Sequence, residues 1–494
     1  MKKNILRTLS TLLVMAIIFS FAGCKKSGGE DSSSDLGTIS GIISSDGDTD
    51  GTGNQSEDST SSDASGNNSS AAQTSGNTST AGKPVNATTS KTTNFSWKEV
   101  KATIPSSLNG TTVTVYSWNE VTDVTGAKDV ISKFTKETGI KINWKVGSYT
   151  NYVTEIASKV ASKNAPDIVR LKDYNLGLLS LLMPLSETGY NFNDSAWDKS
   201  VMNFYSYNGK SYAANMQNTL LQQPKCLIYN RNLVSKYDLE DPYSLWKKSK
   251  WNWTKFVEVC KDFKEQADSS SLAWTSYTWA DCADLLGAGF TKFDGKTFTS
   301  NMNSADLLKG WQMMAEVEEA GLSNNIRFDR TNFENGKILF FTESPIGARR
   351  THYYFSTLKS TGALAAVPMP VVDGYKELQM YGEYEAYGIP AGAKNALAAC
   401  YFLRYYLDAA NYDESTFFAD KTILEVYKSL RANTNVYCNY DHCIVTEDIG
   451  TAAIHLNAQL VNKPKAQIKS KLDEIAPQVD AAVKAANSKL SSIK

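Results

Sequence analysis

Between residues 111 and 182 the chain alternates two hydrophobic periodicities, and that alternation restricts its possible folds more than any other feature. Thr111-Thr112-Val113-Thr114-Val115-Tyr116-Ser117-Trp118 is β-branched and aromatic, which suits a strand. Gly126 to Thr138 then places Val130, Ile131 and Phe134 at helical spacing. Lys141 to Val146 reads as a strand, and Tyr149 to Ser162 returns to helix through Val153, Ile156 and Val160. Ala165 to Leu171 is a short buried strand, followed by a helix from Asn175 to Leu182. Strands separated by helices imply a parallel sheet with right-handed crossovers. Ligands of such sheets bind beyond the carboxyl ends of the strands. Trp118-Asn119, Ser148-Tyr149 and Asp173-Tyr174 are thereby predicted on one rim.

A second block repeats these signals. Strands are expected at Lys225–Asn230, Ile338–Phe341 and Ala363–Val367, and helices at Trp253–Glu265 and Ser304–Ala320. Beyond Lys394 the pattern is helical, over Asn395–Leu407, Asp420–Leu430, Glu447–Leu460 and Lys465–Lys489. No repeat of solenoid period is visible.

The first 93 residues belong to a different physical class. Lys2, Lys3 and Arg7 precede an apolar run from Leu9 to Phe21, too short to cross a hydrocarbon layer of about 30 Å and therefore an export signal. It ends in Phe21-Ala22-Gly23-Cys24, which resembles the lipobox of bacterial lipoproteins and implies cleavage of 1–23 and lipidation of Cys24. From Ser44 to Thr80, 31 of 37 residues are Ser, Thr, Gly, Asn or Asp. A segment so poor in apolar groups cannot offset its ordering entropy, so 24–93 is expected to be a disordered tether. Asp46-Gly47-Asp48-Thr49-Asp50-Gly51 with Glu57 satisfies a calcium-loop expression. The flanks lack helical periodicity, so it is a chance match.

The remaining 94–494 carries 44 basic and 43 acidic side chains. That balance speaks against nucleic acid as a partner. His352, His442 and His455 form no metal-binding pair, and neither a nucleophile elbow, a phosphate loop nor a dinucleotide fingerprint is present. No catalytic residue, cofactor or metal is expected. Cys438 and Cys443 could bridge in an exported protein or remain free thiols. Paired carboxylates of a carbohydrate hydrolase, drawn from Glu343, Glu383 and Glu385, stay open as the competing reading.

Eight segments then occur in a familiar order. They are Thr114–Trp118, Phe134–Ile142, Ala165–Val169, Tyr207–Ala213, Leu227–Arg231, Trp251–Phe256, Phe333–Lys337 and Gly388–Ala393. In these the chain resembles the extracellular solute-binding proteins of carbohydrate-uptake ABC transporters (family 1, maltose-binding-like). The resemblance implies an α/β, two-lobed, periplasmic-binding-protein-like fold of the Venus-flytrap kind, with hinge-crossing segments and a helical C-terminal part. Lobe 1 would take about 108–220 and part of 330–390, and lobe 2 about 225–325 with 390–494. It also implies a monomer at the outer face of the membrane, held by Cys24 and passing a carbohydrate to permease subunits. A sugar offers C–H faces and hydroxyls, which call for flat aromatic platforms and convergent polar groups.

The candidate contacts follow from that need. Trp118 and Asn119 end the first strand, Tyr149 opens a helix, and Asp173 and Tyr174 follow the Pro-Asp-Ile-Val strand, where Asp173 is equally suited to cap a helix. Gln217, Asn218 and Gln223 precede the Leu227–Asn230 strand. Trp279 is the favoured platform in an aromatic segment that also holds Trp274 and Tyr277. Glu343 with Arg349 is either a ligand contact or a surface ion pair, and Tyr381 and Glu383 precede the Gly-Ile-Pro segment. A binding lipoprotein for a peptide or polyamine is the third reading.

Overall fold

The computed structural model describes residues 95–493 other than 120–126, 173–175, 217–223, 277, 325–328, 350–353, 382–384, 409–416, 419, 434–435, 438 and 443–448. The signal, Cys24, the tether, its calcium-like loop and both Cys438 and Cys443 lie outside the described residues.

Two sheets organise the fold. The first contains β1 (Thr112–Ser117), β2 (Lys141–Val146), β3 (Ile168–Lys172), β4 (Ala213–Ala214) and a late strand, Glu385–Gly388, in the order β2-β1-β3-(385–388)-β4. β1 pairs parallel with β2 and β3, as the alternation predicts. The late strand runs antiparallel to both β3 and β4, so the sheet is mixed. The second sheet holds β5 (Cys226–Asn230), β6 (Leu272–Thr275), β7 (Ile338–Glu343) and β8 (Leu364–Pro368), in the order β8-β5-β7-β6. Here β7 and β6 are parallel, while β5 is antiparallel to both β7 and β8. Glu385–Gly388 is then β9.

Period-two alternation sends each sheet's side chains into two cores. In the first sheet Val113, Val115 and Ile168 meet Phe134 of helix α1 (Ala127–Thr138) and Phe402 and Tyr406 of a late helix, Ala396–Asp408. Tyr116, Val169 and Leu171 face the other way, onto Tyr152 and Ile156 of α2 (Tyr152–Ala161). In the second sheet Leu227, Tyr229 and Phe340 pack on Phe256 and Phe263 of α3 (Trp253–Gln266). Cys226, Ile228 and Phe341 pack on Ile423, Val426 and Leu430 of the helix Lys421–Ala432. Asn252 caps α3 by accepting from the Lys255 amide, an ordinary N-cap satisfying one orphan donor.

One lobe boundary differs from that expected. Within 330–390, residues 385–388 join the first sheet while 338–368 build the second, but Ala396–Asp408, expected in lobe 2, closes the core of the first. The final helix, Lys465–Leu490, starts in the second core with Ile468, Leu472 and Ile475 and ends against the first with Ala486 and Leu490. Apolar periodicity shows that a helix buries one face, but not which sheet receives it.

The strand directions locate the crossings between the sheets. β4 is aligned with β3, so the chain leaves the first sheet at its carboxyl edge, and β5 begins at the edge of the second where β7 and β8 end. The return from Pro368 reaches Glu385, which is paired with Lys172 at the carboxyl end of β3. These two crossings therefore join carboxyl edge to carboxyl edge.

Candidate functional site

On the first rim, Trp118 stands half-buried directly after β1. The Arg170 guanidinium lies over its indole, with Cζ 4.8 Å from the ring centroid. The rings of Tyr152 and Tyr149 approach it edge-on at 5.1 and 6.0 Å. Arg170 is 4% exposed and forms an ion pair with Glu385, itself 6% exposed, at the start of β9. The buried Asn215 amide donates to the Glu385 carbonyl at 2.8 Å. Beneath this pair, Tyr152 stacks on Tyr116 at 5.6 Å and donates to the Tyr116 carbonyl at 2.5 Å. The same hydroxyl accepts from the Arg170 amide at 3.0 Å. Burial pushes the Tyr152 phenol well above its ordinary range. Tyr116 donates to the Glu155 carboxylate; burial, followed by that carboxylate, pushes its phenol up to about 12. Both tyrosines therefore stay neutral donors at physiological pH.

The second rim supplies a small recess with space for about one water molecule. Lys225, Asp281, Asp284, Thr342, Gln379 and Tyr381 line it beside Leu285, Met369 and Leu378. Lys225, at the entry to β5, is buried and holds its Nζ 5.7 Å over the Tyr381 ring. The two carboxylates come from one helical turn, Asp281–Asp284. Asp281 accepts from the Thr278 amide and hydroxyl at 3.0 and 2.9 Å, and Asp284 accepts from the Asn439 amide at 2.9 Å. Thr342 takes the indole N–H of the fully buried Trp274 at 2.8 Å. Gly310 lets the neighbouring helix approach, since a Cβ there would meet the Ala283 backbone.

The predicted residues divide clearly. Trp118, Asn119 and Tyr149 lie on the first rim, and Tyr149 is 57% exposed. Asn119 is held through its carbonyl, which accepts from Trp144 Nε1 at 3.0 Å. Trp279 is half-buried beside the second core, immediately before the Asp281–Asp284 turn. Tyr381 lines the recess. Glu343 and Arg349 are not brought together as a surface pair. Glu343 is buried with Arg330 at 3.7 Å, whereas Arg349 bridges to Phe418 and offers its carbonyl to Lys359 at 3.0 Å. Asp173, Tyr174, Gln217, Asn218, Gln223, Tyr277 and Glu383 lie outside the described residues. Sequence reasoning missed Arg170, Lys225, Asp281 and Asp284 as site residues. A lone Arg inside the apolar strand Ile168–Leu171 was the available signal, because a buried guanidinium demands a partner. Among the described residues no group of three or more His, Cys, Asp and Glu side chains could hold a metal ion. No helix among them is long and apolar enough to cross a membrane.

The sequence model of the bacterial extracellular solute-binding protein family matches residues 118–413. No curated protein matches the chain. Solved structures match its fold at low identity. The sugar-binding protein MalE of Xanthomonas citri is 13% identical, with a TM-score of 0.57 over 77% of this chain and 98% of its own. The cyclic α-maltosyl-1,6-maltose binding protein of Arthrobacter globiformis is 12% identical, with a TM-score of 0.56 over 77% and 98%. The galacto-N-biose/lacto-N-biose I-binding protein of a Bifidobacterium longum ABC transporter is 14% identical, with a TM-score of 0.54 over 77% and 97%.

Proposed function

The chain belongs to the bacterial extracellular solute-binding protein family, and from that membership we propose that it captures an oligosaccharide between its lobes and hands it to an ABC importer. The observation that carries this reading is the pairing of rims: an indole framed by Tyr149, Tyr152 and Arg170 on one side, and a recess with buried Lys225, Asp281 and Asp284 on the other. An aromatic face takes the C–H side of a pyranose, while fixed donors and acceptors take its hydroxyls. The sugars named for the structural relatives support the same ligand class. Hinge closure about the crossing segments excludes water and creates a shape for permease subunits to recognise. No bond of the sugar is broken.

Cleavage before Cys24 and lipidation of its thiol would hold the monomeric module at the outer membrane face on the 24–93 tether. A flexible chain of about 70 residues reaches roughly 45 Å. Palmitate labelling that persists in Cys24→Ala would refute the anchor.

The functional test is calorimetric titration of the mature chain with malto-, xylo-, manno- and lacto-oligosaccharides, with reducing ends assayed afterwards. Saturable binding with a negative heat-capacity change and no product is expected. Release of new reducing ends, or binding of a polyamine or peptide in place of every sugar, would overturn the reading.

A further inference from the structure

We propose that the buried Arg170–Glu385 pair is a positioning device for Trp118, fixing the indole plane against which the first lobe receives a sugar ring. The proposal deepens the binding reading, and rests on it for the identity of what stacks there. Trp118 sits on a segment following β1, outside the strand ladder, and is only half-buried. Its orientation must therefore come from side chains. Three supply it: Tyr149 and Tyr152 meet the ring edge-on, and Arg170 lies across it.

Of the three, Tyr152 and Arg170 are both anchored, and Arg170 is the one whose side chain is tied to β9. Its amide donates to Tyr152, and its guanidinium is held by Glu385 on the neighbouring antiparallel strand, two register positions from the Arg170–Tyr387 pair. Glu385 is also where the return crossing joins the first sheet. The plane of the platform is thereby tied to the strand on which the chain re-enters the first sheet. A guanidinium stacks flat on an aromatic face in a way an ammonium does not. An apolar residue would fill the space but leave the ring's tilt unset.

The test separates positioning from bulk stability. Replacing one partner of a buried pair strands a charge and endangers folding, so the informative variant is Arg170→Met/Glu385→Met. It removes both charges at similar volume. Full-length protein labelled with 5-fluorotryptophan gives ¹⁹F signals, with Trp118 identified by its loss in Trp118→Phe. The expected result is a shifted or broadened Trp118 line in the double variant, with the lines of Trp253, Trp274 and Trp311 unmoved. Affinity for the tightest probe, chosen from maltotriose, xylotriose and mannotriose, should fall about 5- to 30-fold, and by less than about twofold when Trp118 is already Ala. An unchanged Trp118 line, or equal affinity losses with and without Trp118, overturns the proposal. If none of the three probes binds the parent protein, the sugar reading fails. The fluorine spectrum then decides the positioning claim alone: a moved Trp118 line upholds it and an unmoved one ends it.

Discussion

Asp194→Ala should be among the most damaging substitutions outside the cleft, although it touches no candidate ligand contact. Asp194 and Arg404 are each 2% exposed, with Arg404 Nε 2.7 Å from Asp194 Oδ2. Arg404 also donates to the Phe95 carbonyl at 2.8 Å, and Asp194 accepts from the Ala196 amide at 3.0 Å. The pair thus clamps the start of the module and the 194–198 turn to the helix Ala396–Asp408. Removing one partner of a buried ion pair costs about 3–5 kcal/mol, because the remaining charge stays in the interior. The freed Ala196 amide adds roughly 1 kcal/mol. A loss of about 4–6 kcal/mol is a large share of the 5–15 kcal/mol or so that holds a typical domain folded. Urea unfolding followed by far-UV circular dichroism measures it. The two lobes need not unfold together, so the midpoint of the first-lobe transition should fall while that of the second holds. Asp194→Leu/Arg404→Met should recover most of the loss, since an apolar pair leaves no stranded charge. Glu187→Ala, which breaks the exposed Lys210–Glu187 pair, should cost less than about 1 kcal/mol. A loss below about 1 kcal/mol for Asp194→Ala would refute the assignment of this pair to the interior.

Trp279→Ala should weaken the best oligosaccharide of the panel about tenfold or more, roughly 1.4 kcal/mol; unchanged affinity removes it from the platform. Gly310→Ala forces a Cβ onto the Ala283 backbone and should destabilise the second lobe by about 1–3 kcal/mol, with sugar affinity falling as the Asp281–Asp284 turn shifts; an affinity equal to the parent's speaks against that recess as part of the site. Although burial opposes it, hydrogen bonds from Arg231 and Thr422 and the charge of Arg231 hold the Asp420 carboxyl below its usual range. The stability gap between the parent and Asp420→Asn should thus be full above about pH 4 and close as pH falls below it; a gap that widens in acid contradicts the sign. Burial raises the thiols of Cys226, Cys260 and Cys282 well above their ordinary range and Cys400 to about 12. All four should resist a disulfide reagent at pH 8 until the chain is unfolded; labelling of any of them in the native protein refutes that burial.

Much of the fold was legible because its central strands are buried on both faces, its edge strand β2 alternates, and its helices bury one face. β2 falls where its alternation placed it, and α1 and α3 agree with their apolar spacing to within a residue. What escaped detection depends on distant partners. β9 is four residues long and enters the first sheet antiparallel, more than 200 positions from β3. No local pattern specifies that. The hairpin Thr291–Phe293 with Phe298–Ser300 was overlooked because its strands are three residues each. The site divides along the same line. Trp118 and Tyr149 were legible as aromatics at strand ends, but Arg170 became meaningful only through Glu385, 215 residues away. Asp281 and Asp284 share one turn directly after the aromatic segment, and that spacing was the clue left unused.

Small-angle scattering of the mature chain, with and without a saturating oligosaccharide that survives the incubation intact, tests the central claim most directly. A closing two-lobed receptor predicts a smaller radius of gyration with the sugar bound, reversed when the sugar is removed. An unchanged radius at saturation, or contraction only as the sugar is consumed, would contradict it.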